Sequence, residues 1–240
     1  MKKTQKLLLA VNIVIISAVF VLNYFYQSNG FDFTFKCICS GSFAILGVIN
    51  LIYALVTKAD NRNFHIGMSA GLILAFLGDY LIGYDFIIGA ATFAVGHICF
   101  VAAYCSTQRM QKLDFAISGG LFLGCVIFLL FCPLLTFEVG VFRIVCIVYA
   151  LIISTMLGKA IGNFLREKSV TNGTIAVAST LFFFSDLMLV LDCFIGLWSW
   201  TDHACMGTYY PALCLLALSM CIKELYNKRL KINRKTMIGN

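Results

Sequence analysis

Charged residues are scarce in this chain. They make up 12% of its 240 residues, against 61% that are hydrophobic, whereas a soluble domain has about 25% charged and 45–50% apolar residues. A water-soluble core of this size cannot hide so much apolar surface, so lipid must surround most of the chain. This balance excludes a soluble enzyme.

Proline is also rare, with two residues in the chain, and there is no low-complexity segment, which excludes a disordered or fibrous protein. Apolar runs of about twenty residues recur with little alternation, which favours membrane helices over the strands of a barrel. We therefore expect an all-α polytopic membrane protein, a single domain over residues 1–240 with eight transmembrane helices in one bundle. The expected spans are 7–26, 37–56, 66–84, 86–105, 115–135, 141–160, 174–195 and 204–222, followed by a basic cytoplasmic tail at 223–240.

The basic residues are distributed unevenly between the two sides of the expected bundle. Sixteen of the 18 Lys and Arg residues fall in segments on the side of the two termini, and only Lys36 and Arg143 fall on the other side. Such residues concentrate in cytoplasmic loops. We expect a multi-pass protein of the cell membrane with cytoplasmic N- and C-termini, and the net charge of +7 then gives no reason to expect a nucleic-acid partner.

Several catalytic motifs are missing. The chain has no GxSxG, HExxH or phosphate-binding glycine loop, so a serine lipase, a zinc protease and an ATPase have no support. Its eleven cysteines are scattered through apolar runs without a CxxC pair, and we expect neither a metal nor a cofactor. Cys193 and Cys205 flank one outer loop and are the pair best placed to form a disulfide.

Two aspartates lie inside predicted spans, five or more residues from the span ends. Asp79 lies in LILAFLGDYLIG of the third span and Asp186 in STLFFFSDLMLV of the seventh. A carboxylate at such a depth costs about 2.5–3.5 kcal/mol, so it is expected to face the interior and to be functional. Each is 13 residues from the cytoplasmic start of its span, about 20 Å deep. We expect the two carboxyl groups to meet across one cavity.

The two aspartates share a sequence pattern. Each is followed six residues later by a second one, Asp85 or Asp192. With four spans in each half, this pattern raises the hypothesis of a parallel internal repeat of residues 1–105 and 115–222. Buried aspartates have two other common roles, a hydrogen bond between helices and a proton or cation relay in a transporter.

Other polar residues accompany the aspartates. His97 lies near the middle of the fourth span, and Tyr209 and Tyr210 enter the eighth at about the aspartate level. Lys36 sits where a lipid phosphate would lie. The alternative roles are a histidine bonded to the backbone, tyrosines of an aromatic belt and a lysine at a helix end whose charged group reaches the interface.

These segments together resemble the lysoplasmalogenase family of integral membrane proteins, the YhhN-like family. The resemblance covers residues 35–220 in the expected order. The matching features are Phe35-Lys36, Gly78-Asp79, the glycine and histidine of FAVGHICF, Ser185-Asp186 and Thr208-Tyr209-Tyr210. The chain departs from the family pattern by lacking a proline soon after Lys36, by Phe100 in place of a tyrosine and by Leu213 in place of a glutamine.

The resemblance implies hydrolysis of the vinyl ether bond of lysoplasmalogens, which are 1-alkenyl lysophospholipids with an ethanolamine or choline headgroup. The products would be a fatty aldehyde and the glycerophospho-headgroup. Asp79 and Asp186 would be catalytic, with no metal or cofactor. The residues expected to bind the lysophospholipid within the membrane lipid are Lys36, His97, Ser185, Tyr209 and Tyr210.

The chemistry of the residues suits that reaction. Vinyl ether hydrolysis begins with proton transfer to the alkene carbon, and water then captures the oxocarbenium ion. It needs an acid and a fixed negative charge, which two buried carboxyl groups supply. The sequence leaves two alternatives open, a small proton-coupled transporter and an inactive lipid-binding relative. It does not determine which aspartate is the acid, the headgroup and chain preference, or the oligomeric state.

Overall fold

The computed structural model describes residues 3–30, 32–133, 135, 140–196 and 200–238, with side chains as far as Tyr226. Within these residues the chain is entirely helical and contains eight helices, each long and apolar enough to cross a membrane. They are α1 (Lys3–Ser28), α2 (Phe33–Val56), α3 (Arg62–Leu81), α4 (Phe86–Thr107), α5 (Lys112–Phe131), α6 (Gly140–Arg166), α7 (Val170–Ile195) and α8 (Thr201–Ile238). The predicted eight-helix membrane bundle is confirmed. Helix α8 continues through the segment that we expected to be a separate tail.

Helix α3 ends three residues earlier than the expected span, 66–84. It stops at Leu81, because the following turn leads to Asp85, whose side chain accepts from the backbone N–H of Ile88 and caps α4. Asp79 therefore lies in the last turn of α3, and our expectation that it lies five or more residues from the helix end is wrong. Asp186, in contrast, lies nine residues before the end of α7.

The packing of the helices follows the hypothesised repeat around two central helices. Helix α2 contacts α1, α3 and α8, and α6 contacts α5, α7 and α4. Adding four to each helix number converts the first set of contacts into the second, if α8 is taken to correspond to α4. In the sequence, Lys36 and Asp79 are followed 107 positions later by Arg143 and Asp186. Both observations support a parallel duplication. The α1·α8 contact has no α5·α4 counterpart among the described helix pairs. The counterpart of α3·α8 is α7·α4, where side chains such as Tyr104 and Ser179 meet.

A buried ionic cluster joins α5 to α6 on the side of the bundle that carries the termini. The Asp114 side chain is fully buried and accepts from Lys159 Nζ at 2.9 Å and Arg166 Nη1 at 2.5 Å. In the sequence Asp114 falls just outside the expected fifth span, 115–135, which predicted a peripheral aspartate, and its burial shows that this prediction is wrong. A position at a helix end does not indicate burial. Here Gly158 and Gly162 of α6 let α5 approach closely, and the close contact buries Asp114.

Candidate active site

The first aspartate, Asp79, is the centre of a polar group formed by α2, α3 and α8. The residue is 4% exposed. One of its oxygens, Oδ2, accepts from Ser40 Oγ at 2.5 Å and from Tyr209 OH at 2.8 Å. The other, Oδ1, lies 3.8 Å from Lys36 Nζ. Two hydroxyl groups donate to Asp79 and a lysine ammonium group lies close to it, an arrangement that suits an acceptor-only carboxylate.

The predicted binding residues Lys36 and Tyr210 have different surroundings from those we expected. Lys36, expected at a lipid phosphate, is the ionic partner of Asp79, and its side chain is 14% exposed. Tyr210 is fully buried, and its hydroxyl lies 3.5 Å from Ser40 Oγ and donates to the Lys36 carbonyl at 3.5 Å. Tyr210 thus supports the residues around Asp79. Binding of substrate by either residue stays a prediction.

The second aspartate, Asp186, is the centre of an equivalent group formed by α4, α6 and α7. Tyr149 OH donates to Asp186 Oδ2 at 2.8 Å. His97 Nε2 lies 2.7 Å from the same hydroxyl and 3.4 Å from Asp186 Oδ2. Because the tyrosine proton points to the carboxylate, the tyrosine oxygen accepts from His97 Nε2–H. The arrangement is a short chain of hydrogen bonds that ends at Asp186.

The two polar groups are related to each other by the same shift of four helices as the helix contacts. Asp79 on α3 has partners on α2 and α8, and Asp186 on α7 has partners on α6 and α4. The aspartate is repeated, while the partner side chains differ, since Ser40 and Tyr209 in one group are replaced by Tyr149 and His97 in the other. The duplicated aspartates have thus acquired different environments.

A cavity of about 470 Å³ opens beside Asp186 and lies among α4, α5, α6 and α7. This volume is within the range of about 300–1,000 Å³ that small-molecule sites occupy. Among the described residues that line it, Asp186 and Tyr149 alone have carboxyl, hydroxyl or amide side chains, and two cysteine thiols accompany them. The rest of the wall is apolar. A hydrocarbon chain is the type of ligand that such a wall favours.

Asp79 is not among the residues that line this cavity. Phe93, which does line it, lies against Tyr209 with ring centroids 6.1 Å apart. Phe182 contacts both Tyr209, at 5.4 Å, and His97, at 4.7 Å. Aromatic rings therefore lie between the two polar groups. Our expectation that both carboxyl groups face one cavity is wrong for the described conformation, because an aromatic layer occupies the space between α3 and α7.

Ser185, also a predicted binding residue, faces away from the Asp186 carboxyl group. Its hydroxyl lies 3.5 Å from Cys205 Sγ on α8. All eleven cysteines are free thiols, so Cys193 and Cys205, which flank one loop, do not form a disulfide. Within the part of the chain that the structure describes, no three His, Cys, Asp or Glu side chains are grouped as metal ligands.

Two site residues were missed in the sequence. Tyr149 and Ser40 lie within apolar helices and carry no motif. The signal that could have found them is the repeat, since it assigns α2 and α6 as the neighbours of the two aspartate helices. Which residue of α2 or α6 faces the aspartate still depends on how each helix is rotated about its axis, and the sequence does not specify that rotation.

The fold and the site together define a polytopic membrane protein with an aspartate in each of two spanning helices, one of which borders an apolar cavity. Comparison with protein families identifies it further: the model described as the YhhN family matches residues 40–220. The chain belongs to the YhhN family, a family that includes lysoplasmalogenases. Comparison with curated proteins and with solved structures found no match.

Proposed function

We propose that this protein hydrolyses the vinyl ether bond of lysoplasmalogens within the membrane. The family supports a lysoplasmalogenase-like hydrolase. The observation that carries the proposal is the position of Asp186, a carboxyl group that reaches the wall of an otherwise apolar cavity of about 470 Å³. A hydrocarbon chain bound there brings the first carbons of its alkenyl group to a proton donor.

In the first step Asp186, in its protonated form, donates its proton to the second carbon of the alkenyl chain. The carbon–carbon double bond is lost, and the positive charge is shared between the first carbon and the ether oxygen as an oxocarbenium ion. The Asp186 carboxylate left behind places negative charge next to this cation, and the Asp79 carboxyl group contributes to the field from the far side of the aromatic rings. A fixed charge that opposes the charge of the transition state is among the largest sources of catalysis.

In the second step a water molecule adds to the first carbon and loses a proton to a carboxylate. The resulting hemiacetal collapses: the bond between its first carbon and the glycerol oxygen breaks, that oxygen takes the proton from the carboxyl group, and the hemiacetal hydroxyl returns its own proton to the carboxylate. One lysoplasmalogen and one water thus give one fatty aldehyde and one glycerophospho-headgroup. Tyr149 and His97 hold Asp186 in place through their chain of hydrogen bonds and provide a route for returning its proton.

The orientation of the bundle is part of the proposal. With the termini in the cytoplasm, as the basic residues indicate, Asp79 and Asp186 lie in the outer half of the membrane and Lys36 lies near the outer lipid headgroups. A lysolipid of the outer leaflet then has its phosphate near Lys36 and its chain among the helices. Labelling of a cysteine added after Asn240 in intact cells tests this orientation, because cytoplasmic termini are protected from an impermeant reagent.

The test of the function is product analysis by mass spectrometry with purified protein. The substrates are alkenyl lysophospholipids with ethanolamine or choline headgroups, and the matched controls carry a saturated ether or an ester at the same position. We expect aldehyde from the alkenyl lipids alone. Recovery of every lipid unchanged contradicts a hydrolase and favours a carrier or binding protein, and fatty acid release from the ester contradicts vinyl ether specificity.

A further inference from the structure

Two glycines of α5, Gly120 and Gly124, lie in the wall of the cavity beside Asp186. A Cβ atom built on either glycine meets no atom within 4 Å. Glycines in membrane helices commonly allow two backbones to approach closely. Close approach does not account for these two, since no neighbour is in contact at either position. They leave room in the cavity instead.

The glycines lie at increasing distances from Asp186 along the membrane normal. Helices α5 and α7 both begin on the side of the termini, at Lys112 and Val170. Asp186 is 16 residues from the start of its helix, whereas Gly124 is 12 and Gly120 is 8 residues from the start of theirs. At 1.5 Å per residue, Gly124 lies about 6 Å and Gly120 about 12 Å closer than the carboxyl group to the side of the bundle that carries the termini. The cavity therefore reaches from Asp186 toward the termini, and it also extends in the opposite direction, where Phe86 at the start of α4 and Val190 line it.

The reaction fixes which end of a bound chain is near Asp186. The vinyl ether involves the first two carbons of the chain, so these carbons must lie at the proton donor while the remaining carbons extend away from it. The apolar part of the cavity that reaches Gly124 and then Gly120 provides the direction for that extension. The polar headgroup lies at the opposite end of the substrate, and nothing in the apolar lining would stabilise it there.

We propose that this cavity binds the hydrocarbon chain of the substrate and that Gly124 and Gly120 determine the longest chain it accepts. The assignment rests on the proposed function, because that reaction places the first carbons of the chain at Asp186. Gly124 is adjacent to the middle of the chain, and Gly120 is adjacent to its far end. A side chain at Gly124 thus shortens the cavity more than one at Gly120.

The experiment compares Gly124→Phe and Gly120→Phe with the matched variant Gly119→Phe. Gly119 is on the same helix, also has no atom within 4 Å of a built Cβ, and does not line the cavity. We expect Gly124→Phe to lower kcat/KM for long alkenyl chains at least tenfold and to spare short ones. Gly120→Phe should affect only the longest chains, and Gly119→Phe should leave the chain-length profile unchanged.

A binding measurement separates this inference from the proposed function. Thermal stabilisation by lysolipids with saturated ether chains of graded length requires no catalysis. We expect the wild type to be stabilised most by long chains and Gly124→Phe by shorter ones, whether or not alkenyl lipids are cleaved. Gly124→Ala, a smaller change, serves if the phenylalanine variant fails to fold, and its optimum should shift in the same direction. An unchanged optimum in these variants, or an equal change in Gly119→Phe, would overturn the proposal.

Discussion

Tyr149 and Asp186 are joined by a hydrogen bond of 2.8 Å between a phenol and a carboxyl group on adjacent membrane helices. Both residues line the cavity. The same hydroxyl accepts from His97, which is 1% exposed. Among the described residues, Asp186 thus combines access to the cavity with a chain of hydrogen-bond donors, and we assign proton transfer to it for that reason.

Removal of that hydroxyl tests the role of Tyr149 as a positioning residue. In Tyr149→Phe we expect kcat to fall roughly 10- to 100-fold, the effect of losing a hydrogen bond to a charged group, with little change in KM. The measurement is a kinetic series on one alkenyl lipid. Tyr104→Phe is the matched control, because Tyr104 is a buried membrane tyrosine that does not line the cavity, and among the hydrogen bonds described its hydroxyl contacts only Ser179, at 3.1 Å. Equal losses in both variants would argue for a structural role.

Replacement of the two aspartates tests the assignment of the site. We expect Asp186→Asn to lower aldehyde release by at least about 100-fold, the lower range of general acid–base catalysis, and Asp79→Asn to lower it less, because Asp79 acts only through its charge from behind the aromatic rings. Asp85→Asn is the matched control, since Asp85 is exposed and serves as an N-cap, a role that asparagine fills equally well. Near-wild-type activity in a folded Asp79→Asn or Asp186→Asn protein contradicts the assignment of that residue.

The Lys36–Asp79 pair gives a prediction about stability. Lys36→Met leaves a buried carboxyl group without its cation, so we expect a lower melting temperature and a loss of about 1–3 kcal/mol. The double variant Lys36→Met/Asp79→Asn removes both charges and should regain most of that loss while staying less active than the wild type. The measurement is thermal unfolding in detergent. A double variant no more stable than the single one would show that the pair is not coupled.

How far the sequence predicts this molecule is shown by the aspartates themselves. Their burial and matched depth follow from composition and from the rise of a helix, because a carboxyl group in an apolar span must face the interior. Which groups each one meets depends on helix rotation and on the side chains between them. The Phe93 and Phe182 rings separate the two carboxyl groups, and no periodicity in the sequence indicates that separation.

Helix ends were predicted less well than helix centres for a similar reason. Asp114, two residues into α5, seemed by its position to be solvated, yet it is fully buried. Its burial depends on two cations from α6 and on the glycines that bring the helices together. Contacts between residues about fifty positions apart are not visible in a local pattern.

Asp114 therefore provides a test that separates stability from catalysis. Asp114→Asn leaves Lys159 and Arg166 without their shared anion, and we expect a loss of about 3–5 kcal/mol of stability. The cluster lies near the start of α5, while Asp186 lies 16 residues from the start of α7. The protein that remains folded should thus keep its KM and its activity per folded molecule. A changed KM at full folding would show coupling between the cluster and the cavity.

The central claim is that Asp186 protonates the second carbon of the alkenyl chain, and isotope incorporation tests it most directly. The reaction is run in D₂O with purified wild-type protein, the aldehyde is trapped at once by reduction, and the alcohol is analysed by mass spectrometry. The account predicts one deuterium at the second carbon of every product molecule. In oxygen-18 water it predicts label in the trapped alcohol and none in the glycerophospho-headgroup. Aldehyde without deuterium at that carbon, or label in the headgroup, would contradict protonation of the vinyl ether.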